Sequence, residues 1–182
     1  PVLQLAGVSG ILLPTYDRVD GVSLPLGVLL TLGDRAVEIQ PSITYRSRLG
    51  LLDPGVSIRF APERPLRLEL DAGRSTRTND AWSYSDLINS ATTLAFGNDT
   101  RNYFRSEGGA ARAIAHVEGT GIVFEPFVGA RIEKVSPITS VGNVWAFSGR
   151  KSVEHMARPN PLVEPGNIRS GLLGALLEYK VG

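Results

Sequence analysis

The chain has 182 residues, of which 42% are hydrophobic, and it carries 19 basic and 18 acidic residues and no cysteine. This length suits one domain with a sizeable core. The near balance of charge gives no reason to expect a nucleic-acid partner, and the lack of cysteine excludes disulfides, thiolate chemistry and cysteine-ligated metal centres. No run of about 18 apolar residues predicts a transmembrane helix.

The first half of the chain alternates apolar and polar residues with a period of two, which predicts strands with one apolar and one polar face. After an apolar N-terminal strand, LQLAGVSGILL, the pattern occupies 21–32, 37–46, 53–60 and 66–73. In VEIQPSITYR, for example, Val37 and Ile39 alternate with Glu38 and Gln40. Short connections rich in turn-forming residues separate these strands.

The long connection 74–109 contains the one helical pattern, SYSDLINSATTLAFGND. One face of this helix is marked by apolar residues at helical spacing, namely Leu87, Ile88, Ala91, Leu94 and Ala95. Ser83 and Asp86 resemble a capping box, and Gly97 suits the position after the last helical residue. We expect a short amphipathic helix packed on the sheet or in the mouth of a barrel.

The second half returns to period-two patterns at 110–118, 122–134, 144–147 and 171–181. The total is about nine strands, mostly antiparallel because most connections are too short for a crossover helix. With this count the two longest connections, 74–109 and 149–168, fall on opposite sides of the sheet. A missed strand would bring them to the same side.

Strand length favours a particular all-β fold, an antiparallel meander that forms a partial transmembrane β-barrel. Several segments alternate for about 9–12 residues, which is the length that a tilted strand needs to cross a bilayer and exceeds the usual length in soluble sheets. We interpret residues 1–182 as a single barrel domain. Because bacterial barrels usually have an even number of strands, we expect missing strands, a fragment of a larger barrel, and an open or strained sheet.

Two blocks of sequence support the same interpretation by resemblance. The stretch YDRVDGVSLPLG at 16–27 resembles a strand of bacterial outer-membrane proteins in the surface-antigen and DUF5686-like barrel group. The block from LELDAGRSTRTND through WSYSDLINSATTLAFGNDTRNYFR is similar to the strand and helical insertion that follow it there, so that the resemblance covers 16–135. It implies a porin-like barrel in a Gram-negative outer membrane, with a structural, transport or assembly role and no catalytic residues.

The alternation assigns side chains to the two faces of the predicted barrel wall. The polar candidates for the lumen are Glu38, Gln40, Arg46, Arg59, Arg67, Glu69, Asp71, Arg112, His116, Glu118, Arg131 and Glu133. The apolar candidates for contact with lipid are Val37, Ile39, Ile43, Val56, Ile58, Leu68, Phe124, Val128 and Ile132. The expected partners are the lipid bilayer and other envelope proteins, with no cofactor and no metal.

Two other functions are compatible with the same patterns. A soluble antiparallel sandwich or lipocalin-like binding module also has strands with one apolar face. An outer-membrane hydrolase would need a serine paired with His116, and the sequence pairs none with it locally; His155 has no metal-ligand spacing to His116. Tyr16, Tyr45, Trp82, Tyr103 and Trp145 lie near predicted strand ends, which suits either a membrane interface or the rim of a soluble core.

Overall fold

A computed structural model describes residues 1–80, 85–139, 144–147, 160–161 and 163–179. These residues form an antiparallel all-β meander with one short helix, which confirms the predicted fold class. The elements are β1 Val2–Leu5, β2 Thr15–Asp17, β3 Gly21–Leu32, β4 Val37–Arg46, β5 Leu51–Phe60, β6 Leu66–Thr78, α1 Asp86–Phe96, β7 Tyr103–Ala115, β8 Val117–Gly119, β9 Ile122–Pro137 and β10 Gly166–Tyr179. No helix in the described part of the chain has the length and apolar character needed to cross a membrane.

All strands belong to one sheet, in the order β1-β3-β4-β5-β6-β7-β9-β10, with short β2 on β3 and short β8 on β9. Each neighbouring pair is antiparallel, because each long strand returns beside its predecessor. Within the described residues β1 and β10 are the two edges and do not pair with each other. The sheet is therefore open.

The long connections lie together at one end of the sheet, here named the helix end. Connections 79–102 and 138–165 both leave and re-enter the sheet at this end, where the short turn 47–50 also lies, whereas 33–36, 61–65 and 116–121 form the opposite, turn end. The prediction that the long connections fall on opposite sides is thus wrong. The error came from counting 144–147 as a strand. These residues form no strand, and without them the two long connections fall at the same end of the sheet.

The two faces of the sheet have opposite character and opposite exposure. On β9 the even-numbered side chains are open to the surroundings, with Val128 58% and Ile132 62% exposed, while Val123, Glu133 and Val135 of the odd parity are buried. On β10 the apolar Leu173 is 88% exposed. We name these the apolar face and the polar face; many large side chains of the apolar face are exposed.

Helix α1 likewise buries its polar side and exposes its apolar side. The buried side chains of the helix are the polar Asn89, Ser90 and Thr93, whereas Leu87 and Ile88 of the predicted apolar face are 59% and 50% exposed. The helix thus packs against the helix end of the sheet through hydrogen-bonding groups. An amphipathic helix in a soluble protein normally packs through its apolar side.

The ends of α1 are fixed by local hydrogen bonds. Ser85 is the N-cap, and its hydroxyl accepts the Ile88 N–H at 3.3 Å. The predicted capping box on Ser83 and Asp86 is therefore wrong, because the N-cap is Ser85 and Asp86 is the first helical residue and not the third; Ser83 itself lies outside the described residues. Gly97 ends the helix as predicted, in a left-handed conformation with φ 69° that glycine adopts without strain.

Candidate functional site in the polar face

The polar face lines an open cavity of about 570 Å³, formed by residues of β4, β5, β6, β7 and β9. Its charged lining residues are Arg46, Asp53, Arg59, Asp71, Arg74, Arg77, Arg112, Arg131 and Glu133. Serine, threonine and glutamine side chains supply much of the remaining lining. The cavity is therefore suited to water and polar solutes.

Four charged residues alternate in sign across four neighbouring strands and form what we name the cross-strand ladder. Glu38 lies opposite Arg59, Arg59 opposite Glu69, and Glu69 opposite Arg112. The nitrogen–oxygen distances of these pairs are 3.7, 3.8 and 3.0 Å. Directly opposed unlike charges favour this register, because slipping any strand by one residue would move its charges to the apolar face.

The ladder continues toward the turn end through Arg67 and Glu125. Both guanidinium Nη atoms of Arg67 donate to Glu125 at 2.9 Å, a bidentate pair. Glu125 also contacts His116 Nδ1 at 2.7 Å, and His116 Nε2 lies 3.9 Å from Glu118. The neighbours of His116 are thus carboxylates, and His116 hydrogen-bonds to the carboxylate that also binds Arg67.

Small residues form a transverse row in the floor of the cavity. Gly55 lies opposite Gly73, and Gly73 lies opposite Gly108. A Cβ on Gly108 would lie 2.1 Å from the Ile132 carbonyl oxygen, so the neighbouring backbone leaves no space for a side chain there. The row separates the ladder from the charged residues nearer the helix end.

A second ion-pair network fills the helix end of the polar face. Arg46 binds both Asp20 and Asp53, and Arg105 Nη1 donates to Asp53 at 2.8 Å. Thr76 donates its hydroxyl proton to Asp20 at 2.7 Å. Asp20 and Asp53 are 0% and 2% exposed, so these carboxylates are buried against partners that neutralise their charge.

Arg18 and the segment after α1 form the cap cluster, defined by Asp17, Arg18, Asp99, Arg101 and Tyr103. Arg18 is 1% exposed; its guanidinium donates to the Arg101 carbonyl at 2.7 Å and lies 5.5 Å from the centre of the Tyr103 ring. The Tyr103 hydroxyl donates to Asp99 at about 3 Å, consistent with a charge-assisted bond. The cluster ties YDRVDG to NDTRNYF, the two blocks on which the resemblance was based.

Asp17 is the perturbed acid of the cap cluster. Burial, together with the nearby Asp20 carboxylate, raises the pKa of Asp17 to about 7. The N–H groups of Asp20 and Val19 donate to its Oδ1 at 2.7 and 2.8 Å and oppose part of this rise. Its charge therefore changes near neutral pH.

The structure divides the predicted lumen residues between the cavity and the ion-pair networks. Those that line the cavity are Gln40, Arg46, Arg59, Asp71, Arg112, Arg131 and Glu133. Those that extend the networks toward the turn end are Glu38, Arg67, Glu69, His116 and Glu118. They share the polar face.

The strand register places the predicted lipid-facing residues on the apolar face, although Val56 also contributes to the lining of the polar cavity. More than a third of the side chain is exposed for Ile43, Leu68, Phe124, Val128 and Ile132, and the exposure of Val37, Ile39, Val56 and Ile58 is intermediate. Cross-strand pairs such as Ile39 with Ile58 and Phe60 with Leu68 make this face continuous.

Sequence reasoning missed the cap cluster as a site. Asp99 and Arg101 lie outside the alternating segments, and Arg18 and Asp20 lie in the turn between β2 and β3, so period-two analysis gave them no face. The concentration of paired acids and arginines in these two short segments was a signal that could have indicated them. Asp53 and Arg105 become partners only through the register of the sheet.

The predicted interfacial aromatics fall into different environments. Tyr16 and Tyr103 are buried, 7% and 5% exposed, and so cannot contact a membrane interface, because α1 and its neighbours cover them. Tyr45 and Trp145 are 44% and 53% exposed. Trp82, like His155, lies outside the described residues.

Comparisons of the chain with protein-family models, curated proteins and solved structures found no match. Among the described residues no group of three or more histidine, cysteine, aspartate or glutamate side chains could hold a metal ion. The candidate site consequently consists of the polar cavity, its ladder and the cap cluster.

Proposed function

We propose that the chain is a non-enzymatic outer-membrane β-barrel protein, or part of one, of the surface-antigen and DUF5686-like group, with a structural, transport or assembly role in the Gram-negative envelope. One observation carries the proposal. The exposed face of the sheet is apolar, while the face that lines the cavity is polar and ion-paired. A wall between lipid and a wet lumen requires this distribution.

The dimensions of the strands support the proposal. The strands β3, β4, β5, β6, β7, β9 and β10 have 10 to 16 residues each, and a tilted strand needs about 9–11 to cross a bilayer. We assign these seven as the membrane-spanning strands. The lipid bilayer is then the partner of the apolar face, and other envelope proteins can bind at the ends or edges of the sheet.

The distribution of connections provides a second line of support. Outer-membrane barrels have short periplasmic turns and long extracellular loops. Three short turns of this chain share one end of the sheet, and the two long connections share the other end with the short turn 47–50. In the proposed orientation α1 and the cap cluster lie at the outer surface of the cell.

The competing proposal is a soluble sandwich or binding module. The accessibility of a label on an introduced cysteine to lipid-borne and water-soluble quenchers distinguishes the two. A cysteine introduced at Ile39 and carrying a fluorophore should be quenched by lipid-borne quenchers in refolded, vesicle-inserted protein. The matched variant at the adjacent Gln40, which lines the cavity, should be quenched by water-soluble quenchers instead, because adjacent strand residues face opposite sides.

The same experiment can contradict the proposal. A label at Ile39 that neither type of quencher reaches would indicate a dry protein core and favour the sandwich. A chain that refolds to a monodisperse species in buffer without detergent would lead to the same conclusion, because lipid would then be unnecessary for covering the apolar face.

A further inference from the structure

Positive charge exceeds negative charge in the lining of the polar cavity. The arginines that line it are Arg46, Arg59, Arg74, Arg77, Arg112 and Arg131, and the acids are Asp53, Asp71 and Glu133. Acids just outside the lining neutralise part of this excess, as Glu107 does for Arg74. The location of the remaining positive charge depends on how each arginine is paired.

Among the described arginines that line the cavity, Arg131 is the one that forms no direct ion pair with a carboxylate. Within the described part of the chain no carboxylate oxygen lies within 4.0 Å of its guanidinium. Glu133, two residues away on the same face of β9, is already bound by Arg77 at 2.8 Å and by the Ser106 hydroxyl at 2.5 Å. Asp71 is bound by Arg112 at 3.1 Å.

The surroundings of Arg131 provide space and a further donor. Directly opposite Arg131 on β7 is Ala110, whose methyl group fills little of the cavity. Gly108, the next residue of β7 on this face, is part of the glycine row. Arg112, also on this face, has a buried Nε–H without an acceptor.

We propose that the polar cavity binds a small oxyanion of the phosphate type, with the Arg131 guanidinium as its principal ligand. A guanidinium presents a planar pair of N–H donors that matches two oxygens of phosphate. Arginines that line a pore also favour the passage of anions. The inference concerns the polar face and does not depend on whether lipid covers the apolar face.

The test is a calorimetric titration of inorganic phosphate into the refolded chain in neutral detergent at low salt. The wild-type protein should bind phosphate, and Arg131→Gln should bind it at least about tenfold more weakly, a loss of about 1.4 kcal/mol. Arg35→Gln is the matched control. It removes the same charge from an exposed ion pair with Glu63 in a turn outside the cavity, and it should bind like the wild type.

A second pair of variants tests the site without removing Arg131. Ala110→Glu places a carboxylate opposite the guanidinium and should abolish binding by occupying it, whereas the neutral Ala110→Gln of nearly equal size should retain binding. If Arg131→Gln does not refold, this pair alone tests whether Arg131 binds phosphate. The inference is overturned if the wild type binds no phosphate, or if Arg131→Gln binds as the wild type does, or if Ala110→Glu binds as Ala110→Gln does. Insertion into vesicles, followed by the Ile39 label, reports separately on the proposed function.

Discussion

Many charged residues of this protein are buried in pairs and short networks. The contribution of each one to stability depends on its partners. Asp20, Asp53 and Arg18 are almost fully buried, each with several hydrogen bonds. Removing one partner leaves the other charge without compensation in a region of low dielectric constant, which is costly. Asp17 differs because burial, together with the nearby Asp20 and Asp99, makes its own charge unfavourable.

The pH dependence of the unfolding free energy should show the effect of the raised pKa of Asp17. Its folded-state pKa of about 7 exceeds the value of about 4 for an unfolded chain. Its contribution to stability is therefore fully present below about pH 4, is lost as the pH rises toward 7, and stays absent above it. From pH 5 to pH 8 the unfolding free energy of the wild type should fall by about 2–4 kcal/mol relative to that of Asp17→Asn.

Urea unfolding of both proteins in detergent measures this difference. Asp17→Asn keeps the Oδ1 acceptor that binds the N–H groups of Val19 and Asp20 but cannot ionise. Parallel pH profiles for the two proteins would show that Asp17 remains an ordinary, uncoupled carboxylate.

Helix α1, like the sheet, buries polar groups and exposes apolar ones. In α1 the groups that pack are Asn89, Ser90 and Thr93: the Asn89 amide donates to the Tyr103 hydroxyl at 3.1 Å, and the Ser90 hydroxyl accepts the Tyr16 N–H at 2.9 Å. Hydrogen bonds to the cap cluster thus orient the helix. Its apolar side forms part of the exposed surface at the helix end, near Trp145 and Phe147, whose rings are 4.8 Å apart.

Substitutions on the two sides of α1 should have effects opposite to those in an ordinary amphipathic helix. Asn89→Leu should lower the unfolding free energy by about 1–3 kcal/mol, because it leaves the Tyr103 hydroxyl without one buried partner. Leu87→Gln should change the unfolding free energy by no more than about 0.5 kcal/mol, because that side chain is exposed. Denaturant unfolding in detergent compares them, and a larger loss for Leu87→Gln would mean that the helix packs through its apolar side.

At the scale of the whole molecule, the separation of long connections from short turns sets the orientation of the proposed barrel. The helix end carries α1, the two long connections and the short turn 47–50, and the turn end carries only connections of four to six residues among the described strands, at 33–36, 61–65 and 116–121. Long loops on the outside and short turns on the inside are the arrangement of bacterial barrels.

Labelling of intact cells should reveal this orientation. A membrane-impermeant maleimide should label Phe96→Cys, at the exposed end of α1, in intact cells. It should label Ala36→Cys, in the exposed turn between β3 and β4, only after the outer membrane is made permeable. The chain contains no cysteine that could obscure the result. Labelling of Ala36→Cys alone in intact cells would reverse the orientation, and equal labelling of both would contradict membrane insertion.

The sequence by itself determined most of the long strands and the face on which their side chains lie, but it missed β2 and β8 and assigned to the connection 74–109 residues that belong to β6 and β7. Alternation is a local property, because successive side chains of a strand point to opposite faces, so Ile39 and Gln40 could be assigned without knowledge of their neighbours. The cap of α1 at Gly97 was equally local. The run at 144–147 was misassigned because four residues are too few for a period of two to distinguish a strand from a loop with similar residues.

Only the tertiary structure decided which side chains meet. The ladder from Glu38 to Arg112 depends on the register of four strands, and the pairing of Arg18 with Asp99 joins residues 81 positions apart. The direction in which α1 faces was likewise set by its surroundings. The helical pattern identified an apolar side, but the polar cap cluster beside it offered partners to Asn89 and Ser90 instead. A sequence specifies the faces of its elements, whereas the partner of each face depends on contacts made across the whole sheet.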